Sequence, residues 1–270
     1  MAELDYILGT HDAEIDRLGL QHRVWRPKML DAWLRAGIKS GHNIIDIGCG
    51  PGFAAVDLAE IVGPSGRVIG AERSARFLEH LRQTCALRSL TNVETCELDL
   101  DVTPLSYSDI DAVWCRWALS FVTQPARIVA DISSSLKTGG KAIFHEYVDY
   151  GTWRLGPPDP AFGAFVNAVM HSWRASGGEP DIALQLPQML NASGMEVTHM
   201  RPLIDAVTPS NFIWEWPEAF AKTNLDRLQD LGFITAQLAQ ATLAAFENAK
   251  WAKGSFMMTP CVLEVIARKL

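Results

Sequence analysis

Residues 43–53 read Asn-Ile-Ile-Asp-Ile-Gly-Cys-Gly-Pro-Gly-Phe, an apolar run that meets three glycines spaced two apart. A run of five apolar-rich residues bounded by turn signals fits a buried strand. Glycines at that spacing permit a sharp turn and let backbone approach a ligand closely. The stretch that follows, 53–62, carries Val56, Ala59, Ile61 and Val62 at helical intervals. Strand, glycine loop and helix in that order bring backbone N–H groups at a helix start to a nucleotide's polar group.

The pattern continues along the first half of the chain. Residues 3–36 read as a helix with Leu18, Val24, Met29, Leu30, Trp33 and Leu34 as a loose apolar stripe, ended by Gly37. After the glycine loop come strands at 67–71, 92–98, 110–115 and 141–147. Between them lie a helix capped by Ser74 and one opened by Pro125 and terminated by Gly139-Gly140. Short strands alternating with helices predict βαβ units and a parallel sheet covered on both faces. The second half departs from this with a proline-rich turn and an aromatic helix at 151–180. A helix at 182–191 and a strand at 195–201 resume it, a helical region follows at 208–252, and the chain closes on a β-branched strand, Cys-Val-Leu-Glu-Val-Ile-Ala-Arg-Lys-Leu.

Composition narrows the function classes. With 48% hydrophobic and 20% charged residues over 270 positions, one α/β domain with elaborations is expected. The predicted core takes 37–149, 181–203 and 255–270, and a helical cap takes 1–36, 150–180 and 204–254. A net charge of −7, with no lysine and arginine cluster, argues against nucleic acid or an anionic membrane as the main partner. The five scattered cysteines form neither a Cys-x-x-Cys pair nor a zinc-ligand spacing, so no metal is expected and a reducing, cytoplasmic setting fits. The first residues are acidic where a signal peptide is basic. The expected partner is a small molecule, and the chain a monomer or homodimer.

The ligand follows from the acids around the loop. Gly48 and Gly50 match a dinucleotide fingerprint, but its third position is Phe53 and the glycine falls one residue early, at Gly52. Asp46, two residues before the first glycine, is badly placed beside a pyrophosphate and well placed beside a cation. Glu72 ends the second strand, where a carboxylate accepts from both ribose hydroxyls, and it repels a 2′-phosphate. Asp99 follows the third strand, where its oxygen and the Leu100 N–H suit adenine. Adenine, ribose and a cationic tail without phosphate point to S-adenosylmethionine. The chain resembles a class I SAM-dependent methyltransferase of the ubiquinone/menaquinone-biosynthesis-like subgroup (methyltransferase domain 11/25 type). The likeness is carried by DIGCGPG, VIGAER, ELDLDVTP, DAVWCRWALSFV and LKTGGKAIFHEY, with MMTPCVLEVIARK as the last strand. It implies a Rossmann-like, doubly wound, mostly parallel seven-stranded sheet with an antiparallel last strand and a helical cap. Arg73 stands where that family more often has an apolar residue against adenine, and its guanidinium can stack there instead.

Methyl transfer from a sulfonium needs alignment and exclusion of water more than acid–base chemistry. The ligand of an open α/β sheet lies at the carboxyl ends of its strands. That places Cys49 in the loop, and Cys115, Arg116 and Trp117 beside the amino-acid tail. His145, Glu146 and Tyr147 lie at the end of the fifth strand, where Glu146 or Tyr147 lines the acceptor pocket. His171 in the aromatic helix is a further base candidate, ahead of His11 and His22. Tyr6 and Arg23 or Arg26 of the first helix are placed to close over the cofactor. Trp153, Trp173, Trp214, Trp216 and Trp251 would form an aromatic lid over an apolar acceptor. The alternatives are an NAD-dependent oxidoreductase built on the same sheet, or a non-catalytic SAM-binding protein.

Overall fold

In the computed structural model, which describes residues 12–270, helix α1 (Asp12–Ala36) precedes the alternating half of the chain. That half runs β1 (Asn43–Ile47), α2 (Phe53–Val62), β2 (Arg67–Glu72), α3 (Ala75–Leu87), β3 (Val93–Glu97), β4 (Ile110–Arg116), α4 (Pro125–Ser135) and β5 (Leu136–Asp149). The remainder runs β6 (Arg154–Gly156), α5 (Pro160–Ala175), α6 (Leu186–Ala192), β7 (Met195–Leu203), β8 (Ala206–Val207), α7 (Glu215–Asp230), α8 (Ala236–Trp251), β9 (Phe256–Met258) and β10 (Cys261–Lys269). Seven strands form one sheet in the order β3-β2-β1-β4-β5-β10-β7. Only β10 is antiparallel to its neighbours, β5 and β7. The fold is the Rossmann-like, doubly wound α/β architecture with its reversed strand next to the edge.

Side-chain alternation builds the two layers, because successive residues of a strand face opposite sides. Ile44, Val68, Ala112, Trp114, Ile143 and Ile266 face α1, α2 and α3. Their neighbours in sequence, Ile45, Ile69, Val113, Cys115, Phe144 and Val265, face α4 and α6. Both faces are covered, so these strands read as near-continuous apolar runs. Ser74 caps α3, its hydroxyl accepting from the Phe77 N–H at 3.3 Å.

Above the carboxyl ends of the strands sits a third apolar cluster, made by α5, α7, α8 and part of α1. Its centre is Trp153, fully buried, with Phe162, Phe165 and Phe220 against it edge-on at centroid distances of 5.2, 5.6 and 5.9 Å. Beneath it β6, β9 and β8 make a small antiparallel sheet that the sequence reading did not anticipate. The region expected to be helical over 208–252 is two helices. Gly232, at φ +77°, ends the first, and the Thr235 hydroxyl, accepting from Leu238 N–H at 3.2 Å, caps the second. Helix α4 ends at Ser135, before Gly139-Gly140. A Cβ on Gly140 would lie 2.8 Å from the Lys137 carbonyl oxygen, so this glycine serves the close approach of β5 to its own start. Among the described residues no helix is long and apolar enough to cross a membrane.

One buried carboxylate ties the last strands together. Glu264 on β10 accepts from His145 Nε2 at 3.1 Å, His199 Nε2 at 3.1 Å and Arg201 Nε at 2.8 Å. Burial alone would raise its pKa, but the bonds from His145 and Arg201 outweigh it and hold the group at about 2. Its stabilisation is therefore complete above the ordinary glutamate value and is lost as the pH falls towards 2. Glu264→Gln should lower the stability measured by urea unfolding at pH 7 by about 3 kcal/mol, since it takes the charged acceptor from Arg201 and from the buried imidazole of His145. The gap to wild type should shrink between pH 4.5 and 3; a gap that stays constant there contradicts this assignment.

Candidate functional site

The three glycines of the β1–α2 loop all adopt the left-handed region, with φ of +64°, +54° and +87° at Gly48, Gly50 and Gly52. Two of them are held by their surroundings. A Cβ on Gly48 would stand 2.8 Å from Ala118 Cβ, and one on Gly52 would stand 2.4 Å from Leu81 Cδ1. Gly50 is different: nothing lies within 4 Å of where its Cβ would be. The loop is pinned to the end of β2. Gly48 and Cys49 N–H donate to the Ala71 carbonyl at 2.9 and 3.1 Å. Glu72 Oε2 accepts from Gly50 N–H and Oε1 from Ser74 N–H, each at 3.0 Å. Burial raises the pKa of Glu72, and those N–H bonds oppose the rise. Cys49 packs its sulfur over Gly70, where a Cβ would be 3.0 Å away; burial pushes its thiol up, so it is a filler of the turn.

Two of the cavities that open on this loop share Gly48 and Phe121 as walls. The first lies at the carboxyl ends of β2, β3 and β4. Its sides are Glu72 and Arg73 at the end of β2, Leu98, Asp99 and Leu100 after β3, and Ala118 and Val122 after β4. Asp99 Oδ1 accepts from Asp101 N–H at 2.9 Å and so fixes this turn.

The second cavity lies between the glycine loop, the end of β4 and the cap. Asp46 lines it and is buried, with Oδ2 making no hydrogen bond among the described residues. Burial pushes Asp46 up to about 7, against the pull of Arg116. Arg116 lines the same cavity, with its guanidinium over the Trp117 ring at 5.1 Å and reaching the Met29 sulfur. Burial lowers Arg116 to about 10, still charged at neutral pH. A carboxyl group and a guanidinium that do not pair at hydrogen-bond distance among the described residues thus line one cavity, which suits a zwitterionic amino-acid tail.

The remaining walls are aromatic. Trp117, at φ +52°, is stacked on Tyr147 at 5.2 Å and on Trp216 at 5.6 Å, with Trp25 edge-on at 5.0 Å. Helix α1 contributes Arg17 and Gln21. Arg17 is bound to both Glu14 oxygens at 2.7 Å and donates to Gln21 Oε1 at 3.1 Å, which also accepts from Trp216 Nε1 at 3.1 Å. That network locks α1 to α7 over the cavity.

The other expected residues are distributed as follows. Tyr147 lines the second cavity, whereas Glu146 points to the opposite face of the sheet. There its carboxylate accepts from the N–H groups of Ala118 and Leu119 at 2.9 and 3.0 Å, from Ser120 Oγ at 2.9 Å and from the Cys115 thiol. Glu146 therefore braces the loop after β4 from behind, and burial pushes it up to about 7. The Cys115 side chain faces Glu146, leaving only its backbone near the cofactor end of β4. His171 is exposed on α5 with its ring against Phe233, away from both cavities. Arg23 is exposed and lines neither cavity, and Arg26 is taken by Asp57 at 2.7 Å. His22 also meets Asp57, at 3.2 Å. Tyr6 and His11 lie outside the described residues. Arg17 and Phe220 line the second cavity and were missed by the sequence reading. The signal for Arg17 was present in the helical spacing of positions 14, 17, 18, 21 and 25.

A family of methyltransferase domains matches residues 38–175. The demethylmenaquinone methyltransferase of Lactococcus lactis is 31% identical over 123 residues, 46% of this chain and 48% of that protein. The 2-phytyl-1,4-naphtoquinone methyltransferase of Trichormus variabilis is 32% identical over 151 residues, 54% of this chain and 63% of that protein. The chain thus spans about half to three-fifths of these relatives. Among solved structures, coclaurine N-methyltransferase bound to N-methylheliamine and SAH has a TM-score of 0.56, with 18% identity over 90% of this chain and 72% of that one.

Asp46 generates a stability prediction. A carboxyl raised to about 7 carries a folding penalty that grows from its ordinary value near 3.8 up to 7 and is constant above. Asp46→Asn should raise the urea midpoint most at pH 8 and progressively less at pH 6 and 5. A benefit that does not change with pH contradicts the burial of this charge.

Proposed function

The chain belongs to the methyltransferase-domain family, and from that premise we propose that it moves the methyl group of S-adenosylmethionine to an apolar or aromatic small molecule. The observation that carries the reading is that Asp46, with a carboxylate oxygen that makes no hydrogen bond among the described residues, lines the same cavity as Arg116, one glycine away from the Glu72–Asp99 cavity. A zwitterion joined to a nucleoside without phosphate satisfies both cavities. Gly50, with open space at its Cβ position, is where the connecting atoms would pass. A pyrophosphate would set its charge beside Asp46, which argues against a dinucleotide and hence against the oxidoreductase alternative.

In this reading Asp46 takes the ammonium and Arg116 the carboxylate of the tail. Glu72 accepts from the ribose hydroxyls, and Asp99 and Leu100 meet the adenine edge. When bound, S-adenosylmethionine supplies a methyl group on a sulfonium whose positive charge already activates the leaving thioether. The chain's own residues then have to orient the acceptor and keep water out. Trp117 and Tyr147, stacked on one another, provide an apolar aromatic wall for the acceptor, and Trp216 backs Trp117 from the cap. Helix α7 and Arg17, over the Phe220 ring at 5.6 Å, close the side towards solvent. Such alignment supplies a large part of the rate, on the order of 7–11 kcal/mol in well-oriented systems. Tyr147 is the residue at the end of β5 that we assign to the acceptor, and Glu146 is a positioning residue for the loop after β4. The five free cysteines fit a reducing, cytoplasmic setting.

A thermal-shift series tests the reading: S-adenosylhomocysteine should raise the melting temperature and NAD should leave it unchanged, and the reverse would end it. Glu72→Ala should weaken S-adenosylhomocysteine binding by roughly ten- to a hundredfold, as expected for losing hydrogen bonds to a charged group. Since an ammonium favours ionised Asp46, calorimetric affinity should rise between pH 6 and 8 with proton release below pH 7, and Asp46→Asn should abolish that slope. Affinity independent of pH in the wild type counts against the assigned role of Asp46.

A further inference from the structure

A third cavity lies beyond the aromatic wall, between α5, α7 and the loop after β4. It shares Phe121, Trp173 and Phe220 with the cavity that holds Tyr147, so the two are neighbours across one set of rings. Val169, Leu228 and Leu231 continue its apolar lining. Into this surface comes Arg227, from the last turn of α7. Its Nε is shut off from solvent and makes no hydrogen bond among the described residues.

A cation near a helix C-terminus is ordinarily a solvated partner for the helix dipole, and a half-exposed arginine on a surface helix ordinarily pairs with a nearby acid. Arg227 sits in the last turn of α7 and is partly exposed, so it suits the helix dipole, but it has no acid partner among the described residues. Asp226 and Asp230 lie close in sequence on the same helix and are exposed, yet Arg227 forms no ion pair among the described residues. The one carboxylate in the cavity, Asp101, is already engaged by Thr123, through N–H at 2.7 Å and Oγ1 at 2.8 Å. The second arginine there, Arg73, belongs to the nucleoside side. The terminal nitrogens of Arg227 are neither sealed nor bonded among the described residues, and the planar fork of arginine matches a carboxylate.

We propose that the methyl acceptor is an anion: an apolar, aromatic body whose carboxylate is taken by Arg227, with the body running past Phe121, Trp173 and Phe220 to the methyl position beside Tyr147. This rests on the methyltransferase reading and adds the substrate's charge to it. Arg227 is then the residue that selects acids over neutral molecules of the same shape.

The test uses the full chain loaded with S-adenosylhomocysteine and matched pairs of probes: naphthoate, biphenylcarboxylate and phenylalkanoate, each beside its carboxamide. Calorimetry should find at least one acid bound roughly tenfold or more tighter than its amide. Arg227→Leu should erase that preference without changing amide affinity or S-adenosylhomocysteine affinity, and Arg227→Lys should keep part of it. Because Arg227→Leu removes an unpaired buried donor, its melting temperature should equal or exceed that of wild type. If every acid binds no better than its amide while S-adenosylhomocysteine binds, or if Arg227→Leu leaves the preference intact, the assignment of Arg227 is overturned. If S-adenosylhomocysteine itself does not bind, it is the methyltransferase reading that fails.

Discussion

Glu72 spends both carboxylate oxygens on backbone, one on the Gly50 N–H and the other on the Ser74 N–H. This pair of bonds fastens the glycine loop of β1 to the start of α3, across two neighbouring strands. The left-handed conformations of Gly48, Gly50 and Gly52 cost no Cβ clash, and the clamp on both sides of them selects this turn. Clamped in this way, the loop turns Gly50 outwards and keeps Asp46 buried beside open space. The same carboxylate retains lone pairs for a ligand, so one residue both shapes the cradle and meets its occupant.

The two faces of the sheet divide the remaining work. On the α4 and α6 side, Glu146 gathers the donors of Ala118, Leu119 and Ser120 and so fixes the loop that Gly48 touches. On the α1 side, the strand ends carry Trp114, Arg116 and Tyr147, which the cap covers with Trp25, Trp216 and Phe220. A rigid floor and an aromatic roof leave the ligand's charges as the main unfilled demand in the site.

The sheet was legible because its strands are buried on both faces and its turns carry glycine and proline at defined places. The strand-end acids were legible for the same reason: a strand's last residue has a known location in an open α/β sheet. What sequence spacing left open was orientation. Alternation puts His145 and Glu146 on opposite faces, but only packing decides that Glu146 joins Cys115 away from the ligand. His171 sits among aromatic residues in the sequence, yet its helix turns it to solvent and buries Phe165, Val169 and Trp173 instead. On α1 the apolar residues mark the helix poorly, because Leu34 is exposed while Glu14, Arg17 and Gln21 are buried. The strands of the small sheet, two or three residues each, are too short to show any period.

The most direct measurement is a crystal structure of the chain grown with S-adenosylhomocysteine and, separately, with NAD. The account predicts the amino acid of S-adenosylhomocysteine between Asp46 and Arg116, its ribose hydroxyls on Glu72, and no ordered dinucleotide. A pyrophosphate seated over Gly50, or a nucleoside remote from Glu72, would contradict it.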